Sequence, residues 1–348
     1  MWRSPGGGGG PAPPPRPRPH FERAVSRPVI CVATPVEAEF LARLEALGDV
    51  RRVEPTAPDD ELHAALVDAS GVIMSPLRVA GVAMFDAAPH LRVVAGTGVG
   101  YDNFDIPLAT ERGIAICNTP GVLNTAVTDL TMTLIVALAR QLFPYEDYAR
   151  SGRWAGRAPR LPLGHDIRGK VLGVVGFGRI GREVTRRMQS LGMRTLWTDV
   201  FDTLPEGAPE SEYRPLEDLL RESDFVSLHT DLNATSHRLI GERELALMRS
   251  DAYLVNTSRG PVVDQAALRE ALEAGSIAGA ALDVLEDEPP DPADPLPAMP
   301  NVIVLPHIGT ATEETRYLMR ELAVNNVVAV LTGETPPAIV NPEVLDSR

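Results

Sequence analysis

The chain has little cysteine, little positive charge and no long apolar run. Its two cysteines, Cys31 and Cys117, both sit in strand-like apolar stretches. They provide neither a disulfide framework nor a zinc site, and fit a reducing cytoplasm. Lysine and arginine total 33 against 47 acidic residues, a formal charge of -14. So acidic a surface repels phosphate backbones, and nucleic acid is not an expected partner. The longest apolar run, LTMTLIVALA (Leu130 to Ala139), is shorter than the roughly 18 residues that span a bilayer, so no membrane association is expected.

What is present is apolar bulk: 44% hydrophobic against 23% charged over 348 residues. That supports large buried cores, and the length points to two domains. Residues 1–27, MWRSPGGGGGPAPPPRPRPHFERAVSR, are dominated by Gly, Pro and Arg. A segment that cannot bury apolar area is expected to be disordered. Its arginines raise the idea of a transit peptide, but the glycines and prolines defeat an amphipathic helix.

From Pro28 to Asn118, VICVA, GVIMS, LRVVAG and IAICN read as buried strands, with helical patterns such as VEAEFLARLEALG between them. A clearer series follows from Lys170 to Pro306: KVLGVVG, RTLWTD, DFVSLHT, AYLVNTS, AGAALDV and NVIVLP. Six strands are the number in a complete dinucleotide-binding sheet. A helical stretch from Leu123 to about Ala149 precedes this series, and one long helix from Thr312 to Gly333 follows it. That helix and the PPAIVN return have no strand partners left in the second sheet and rejoin the first. The expected fold is therefore α/β, with two doubly wound parallel-sheet domains. The first is flavodoxin-like (28–119 plus 308–344) and the second is a Rossmann sheet inserted in it (120–307). The chain would cross near Asn118 to Gly121 and again near Pro306 to Thr310.

VVGFGRIG (Val174 to Gly181) is a G-x-G-x-x-G between a strand and a helix. Gly176 makes the tight turn, Gly178 lets backbone approach a pyrophosphate, and Gly181 allows close helix–strand packing. The amides and dipole of the following helix favour the anion. The next strand ends at Asp199, roughly 20 residues on, where an acid accepts from both ribose hydroxyls and repels a 2′-phosphate. That favours NAD over NADP. Arg194 precedes the strand and is poorly placed for a 2′-phosphate.

Ligands of open parallel sheets bind beyond the carboxyl ends of the strands. Here those ends carry Gly176, Asp199, Thr230 with Asp231, the TSRG turn, DVLEDEP and His307. Arginine holds a 2-oxo acid's carboxylate and carbonyl with a planar fork, and Arg259 lies on a tight strand-to-helix turn. An imidazolium supplies the proton that a carbonyl needs as hydride arrives. A carboxylate must then hold that ring, and spacing alone leaves Glu286, Asp287 and Glu288 all open.

Together GFGRIG, NTSRGPVVDQAAL, ALDVLEDEP and LPHIGTAT resemble the D-isomer-specific 2-hydroxyacid dehydrogenases, over essentially Val29 to Val344. GTGVGYDNFDI, RGIAICNTPGVLNTAVTDL and LGHDIRGK look most like the glyoxylate/hydroxypyruvate reductase branch. The resemblance implies an Arg–Glu–His catalytic set of Arg259, Glu288 and His307. It implies that the amides of Val99 and Gly100 hold the substrate carboxylate. It puts Arg179 and Ile180 at the pyrophosphate, Thr257 in the cofactor cleft with Gly309 and Thr230, and Asp283 near the nicotinamide. It also implies a homodimer through the cofactor domain, partly by the Leu123 to Ala149 segment.

Two departures bear on substrate and cofactor. Where the family usually has proline in H-x-P-L, this chain has HTDL with Asp231, a further carboxylate disfavouring NADP. The tryptophan that a neighbouring subunit uses to shield substrate has no counterpart after Trp154, where the sequence runs AGRAPRLPLGH. The expected activity is NAD-dependent reduction of a small 2-oxo acid. Two alternatives share the scaffold: an NAD(H)-sensing regulatory protein and a phosphoglycerate-type dehydrogenase. A formate-type enzyme would carry glutamine at Glu288.

Overall fold

The computed structural model describes residues 27–154 and 162–346. The Gly/Pro-rich segment expected to be disordered lies, apart from Arg27, outside the described residues. So does most of the stretch after Trp154 that departs from the family pattern.

Five parallel strands form the first sheet: β1 (Val29–Ala33), β2 (Asp49–Arg52), β3 (Ala69–Met74), β4 (Val93–Gly96) and β5 (Ala115–Cys117), in the order β2-β1-β3-β4-β5. Four of them are the apolar runs read from sequence, and β2 is an addition. Its sequence DVRR carries no buried residue and pairs only with β1, in register Val32 with Arg52. A four-residue edge strand with one half-buried apolar side chain, Val50, leaves no hydrophobic signature.

The second sheet is also wholly parallel: β6 (Val171–Val175), β7 (Arg194–Thr198), β8 (Glu212–Tyr213), β9 (Phe225–Leu228), β10 (Tyr253–Asn256), β11 (Gly279–Leu282) and β12 (Val302–Val304), in the order β12-β11-β10-β9-β6-β7-β8. The six expected strands are joined by a seventh, the exposed two-residue edge β8, which was equally silent in the sequence. Successive side chains go to opposite faces: Leu254 packs in one core cluster and Val255 in the other. From β6 the chain goes outward through β7 to one side and returns to β9 on the other. The carboxyl ends of β6 and β9 are thus the switch point where such sheets open a crevice.

The helical stretch from Leu123 is two helices, Asn124–Ala139 and Leu142–Arg150, bent by 72° beside left-handed Gln141 (φ 51°). The first is buried through Leu134, Ile135 and Leu138. Among the described residues no single helix is long and apolar enough to cross a membrane.

The Glu313–Thr332 helix starts at Thr312, whose side chain accepts from the Thr315 amide, and stops at Gly333 in the left-handed region (φ 83°). It packs Ala323, Val324, Val327 and Val330 onto Ile30, Ile73 and Val93 of the first sheet. The tail then clips to β5: Val340 N donates to Ile116 O at 2.8 Å, and Asn341 Oδ1 accepts from Ile116 N at 2.8 Å. The polypeptide therefore leaves the first sheet after β5 and re-enters it after β12.

Candidate active site

Between the sheets lies a cleft of about 690 Å³, lined from one side by the loops after β3 and β4 and from the other by those after β9, β10, β11 and β12. Its size is usual for a small-molecule site. A second hollow of about 1080 Å³ lies beside the Asn124–Ala139 helix, lined by residues such as Leu142, Tyr145 and Leu163.

Three residues after β12, His307 is held in a left-handed backbone conformation (φ 55°), strained for a side chain with Cβ. Asp283, at the end of β11, fixes it. His307 N donates to Asp283 O at 2.9 Å, while the amides of Ile308 and Gly309 each donate to the Asp283 carboxylate at 2.7 Å. Burial raises the Asp283 carboxyl above its usual range, with the two amides opposing. A Cβ on Gly309 would come within 3.0 Å of Asp283 Oδ2, so glycine is what lets both amides reach one carboxylate.

The fixed turn puts the His307 Nδ1 2.7 Å from Glu288 Oε2. The other Glu288 oxygen accepts from Leu285 N at 3.1 Å. Burial pushes the Glu288 carboxyl up, but the hydrogen bond and charge of His307, the Leu285 amide and the Arg259 charge together outweigh it and hold it below the usual range. Glu286 instead turns to Arg238 at 3.0 Å, and the Asp287 side chain has no hydrogen bond among the described residues. Geometry thereby separates three carboxylates that spacing could not.

Arg259 follows β10 and reaches across the cleft. Its Nε donates to Asp102 Oδ1 at 3.0 Å and its Nη1 to Ser258 O at 2.8 Å. The Nη2 end lies against Gly100, where an added Cβ would sit 1.5 Å from it. Gly100 is thus small because the arginine lies on it. Asp102, on the first sheet's loop, was not singled out in the sequence. Its partner is 157 residues away, so no spacing links them. Val99, also in the cleft lining, accepts from Asn118 Nδ2 at 2.8 Å.

The glycine loop follows β6. Gly176 has φ 91°, and a Cβ there would come within 2.8 Å of the His229 and Thr230 backbone; one on Gly181 would meet Gly176 O at 2.1 Å. Gly178 faces open space at the N-terminus of the Arg179–Ser190 helix. The residues fit a dinucleotide. Thr230 Oγ1 is buried without a hydrogen-bond partner, and Arg179, Ile180, Thr230, Asp231 and Thr257 line the cleft with Gly178. Asp199 ends β7 beside the loop and outside the cleft lining, accepting from Phe177 N at 2.5 Å and Val200 N at 2.7 Å. Arg194, at the other end of β7, is spent on Glu212 at 2.9 Å. Burial pushes the His229 imidazole down to about 4, so it is neutral, and Ser227 Oγ lies 2.9 Å from its Nε2.

An imidazole–carboxylate pair and an arginine facing a dinucleotide loop across one cleft are the equipment of a hydride-transferring oxidoreductase. Residues 132–309 match the model of the D-isomer specific 2-hydroxyacid dehydrogenase NAD binding domain. The chain belongs to that family, whose members are oxidoreductases acting on CH–OH donors. It is 48% identical to the glyoxylate reductase of Korarchaeum cryptofilum over 270 residues, 76% of this chain and 80% of the relative. With the Pyrococcus furiosus glyoxylate reductase it shares 41% over 329 residues, 92% and 98% of the two chains. The NADPH-dependent glyoxylate/hydroxypyruvate reductase of Sinorhizobium meliloti, solved with NADP and malonate, superposes with a TM-score of 0.79 at 35% identity, over 90% of this chain and 97% of that one. These relatives give no support to the regulatory or phosphoglycerate-type alternatives.

Proposed function

We propose that the protein reduces small 2-oxo acids of the glyoxylate or hydroxypyruvate type with NADH, His307 being the acid. The observation that carries this reading is the 2.7 Å His307–Glu288 pair on the same cleft as Arg259 and the glycine loop. In this reading residues 28–119 with 308–344 are the substrate domain and 120–307 the cofactor domain. The Val99 and Gly100 amides and the Arg259 fork hold the substrate carboxylate and orient its carbonyl. Bound NADH supplies the hydride. His307 gives its proton to the carbonyl oxygen as charge builds there, and Glu288 steadies the imidazolium from the far nitrogen. Thr230 Oγ1, Arg179, Ile180 and Gly178 hold the dinucleotide, and closure of the cleft excludes water.

NAD is preferred because Asp199 and Asp231 repel a 2′-phosphate while Arg194 is engaged elsewhere. The S. meliloti relative is described as NADPH-dependent, so both cofactors belong in the assay. Exposed Leu142, Phe143 and Trp154 beside the Asn124–Ala139 helix support a homodimer through the cofactor domain. Two buried free cysteines fit the cytoplasm.

The test is oxidation of NADH and NADPH with glyoxylate and hydroxypyruvate, wild type beside His307→Ala. Turnover is expected to fall on the order of 10²–10⁴-fold while NADH affinity holds. Unchanged turnover would remove His307 from the mechanism.

A further inference from the structure

The Asn124–Ala139 helix packs Leu134, Ile135 and Leu138 with Val255 of β10 and Ala281 of β11. Into the same helix face it buries a hydroxyl, that of Thr131, whose residue is 0% exposed. Valine has the same shape and no polar group to satisfy, so a hydroxyl there is unfavourable unless it is hydrogen-bonded. It is bonded twice: Thr131 Oγ1 lies 2.8 Å from Val127 O and 2.9 Å from Thr257 Oγ1. A carbonyl oxygen only accepts, so the first contact uses the single proton of the Thr131 hydroxyl. The second contact then requires the proton of Thr257. Thr131 therefore accepts from Thr257, and the carbonyl at the end of the relay fixes the direction of both bonds.

Thr257 follows β10 and lines the cleft, half-buried, two residues before Arg259. With its proton drawn back to the helix, its oxygen has only lone pairs left for the cleft. Asp283, at the end of the neighbouring β11, brings a carboxylate to the same cleft and holds the turn that carries His307. In the proposed reaction the hydride donor lies beside the carbonyl that Arg259 and His307 hold. These two acceptors therefore flank the nicotinamide end of the dinucleotide. Two acceptors suit an N–H donor, and the only N–H donor on a nicotinamide ring is its carboxamide NH₂. A ketone at the same ring position has none.

We propose that Thr131 is a positioning residue for the cofactor: by fixing the Thr257 hydroxyl as an acceptor, it makes the cleft select a dinucleotide whose pyridine ring carries an amide N–H. This rests on the dinucleotide reading above and adds to it the feature of the ring that is recognised.

The measurement is the dissociation constant of the full chain for NADH and for reduced 3-acetylpyridine adenine dinucleotide, in which a methyl group replaces the amide NH₂. Both are read from tryptophan fluorescence with no acid present. Thr131→Val removes the acceptor behind Thr257 and leaves that hydroxyl to turn and donate into the cleft. NADH is expected to bind about 3–10-fold more weakly, the size of one neutral hydrogen bond. The analogue should change by less than about twofold. Thr131→Ser keeps the hydroxyl and should keep the wild-type ratio of the two constants, and Thr131→Ala reads the same ratio if Thr131→Val does not fold. Thr257→Val should narrow the ratio as far. Because the two hydroxyls act as one relay, adding Thr131→Val to Thr257→Val should cost less than about a further twofold.

Equal weakening of both ligands in Thr131→Val would make Thr131 a packing residue and overturn the proposal. Additive losses in the double variant would overturn the relay. A wild type that binds the analogue as tightly as NADH would show that the amide is not read, with the same consequence. A wild type that binds neither dinucleotide would instead overturn the parent reading and this one with it.

Discussion

Replacing Glu288 by glutamine changes one atom and tests the acid's support directly. The carboxylate uses both oxygens, one accepting from Leu285 N at 3.1 Å and one 2.7 Å from His307 Nδ1. Glutamine has one acceptor oxygen and a donating NH₂. If the oxygen keeps the Leu285 amide, the NH₂ meets Nδ1 and forces it to accept. The acid then loses the carboxylate that supports its charged form. If the oxygen turns to His307, the NH₂ opposes the Leu285 N–H. Either way a hydrogen bond to a charged group, about 1.5–3 kcal/mol, becomes at best a neutral one near 1 kcal/mol. A net loss of roughly 1–2 kcal/mol corresponds to about 5–30-fold in rate. Because the two side chains are 30% and 28% exposed, water screens part of the pair and the lower half of that range is favoured. Steady-state NADH oxidation with glyoxylate at neutral pH measures it, with the KM for NADH as control. A kcat within about twofold of wild type would refute the pairing argument. Stability gives a second reading with a definite sign. The folded Glu288 carboxyl lies below its usual range, so its stabilising share is complete above the ordinary carboxylate pKa and disappears as pH falls through the folded value. The deficit of Glu288→Gln against wild type should therefore shrink in acid.

Asp102→Ala should raise the KM for glyoxylate by about 5–30-fold and leave that for NADH unchanged. It removes the acceptor at 3.0 Å that aims Arg259, and Asp102→Asn should restore part of the loss; an unchanged KM would show that Arg259 needs no positioning. Asp199→Asn should raise the NADPH-to-NADH preference by roughly tenfold by removing a charge beside the 2′ position. A ratio that stays put would leave the NAD preference to other residues. Trp197→Ala should cost about 3–5 kcal/mol of unfolding free energy, because the indole is 1% exposed and stacks on Phe177 at 4.6 Å. A denaturation midpoint close to wild type would contradict that burial.

What could be read from the sequence were features written in consecutive residues. Apolar runs covered on both faces announced ten of the strands. The glycine loop announced itself because each glycine answers a local demand: a left-handed turn at Gly176 and a 2.1 Å approach to backbone at Gly181. His307 was legible as the residue after a strand that ends on the ligand edge. The two missed strands have no such record. β2 and β8 are edge pairings with no buried residue, DVRR and EY, tied to the sheet by backbone hydrogen bonds that any side chain permits.

The site's remaining parts were hidden for a different reason: they are relations between separate loops. Resemblance, and not spacing, selected Glu288 from three acids, and the fold gives the physical ground. Asp283 spends its carboxylate on two amides, turning His307 towards Glu288 and away from Glu286. Asp102 and Arg259 meet because loops of the two sheets face one cleft, bringing residues 157 apart in sequence into contact. In the proposed mechanism the glycine loop and His307, which the sequence shows locally, serve hydride and proton, whereas the Asp102–Arg259 pair that meets the substrate carboxylate exists only in the fold.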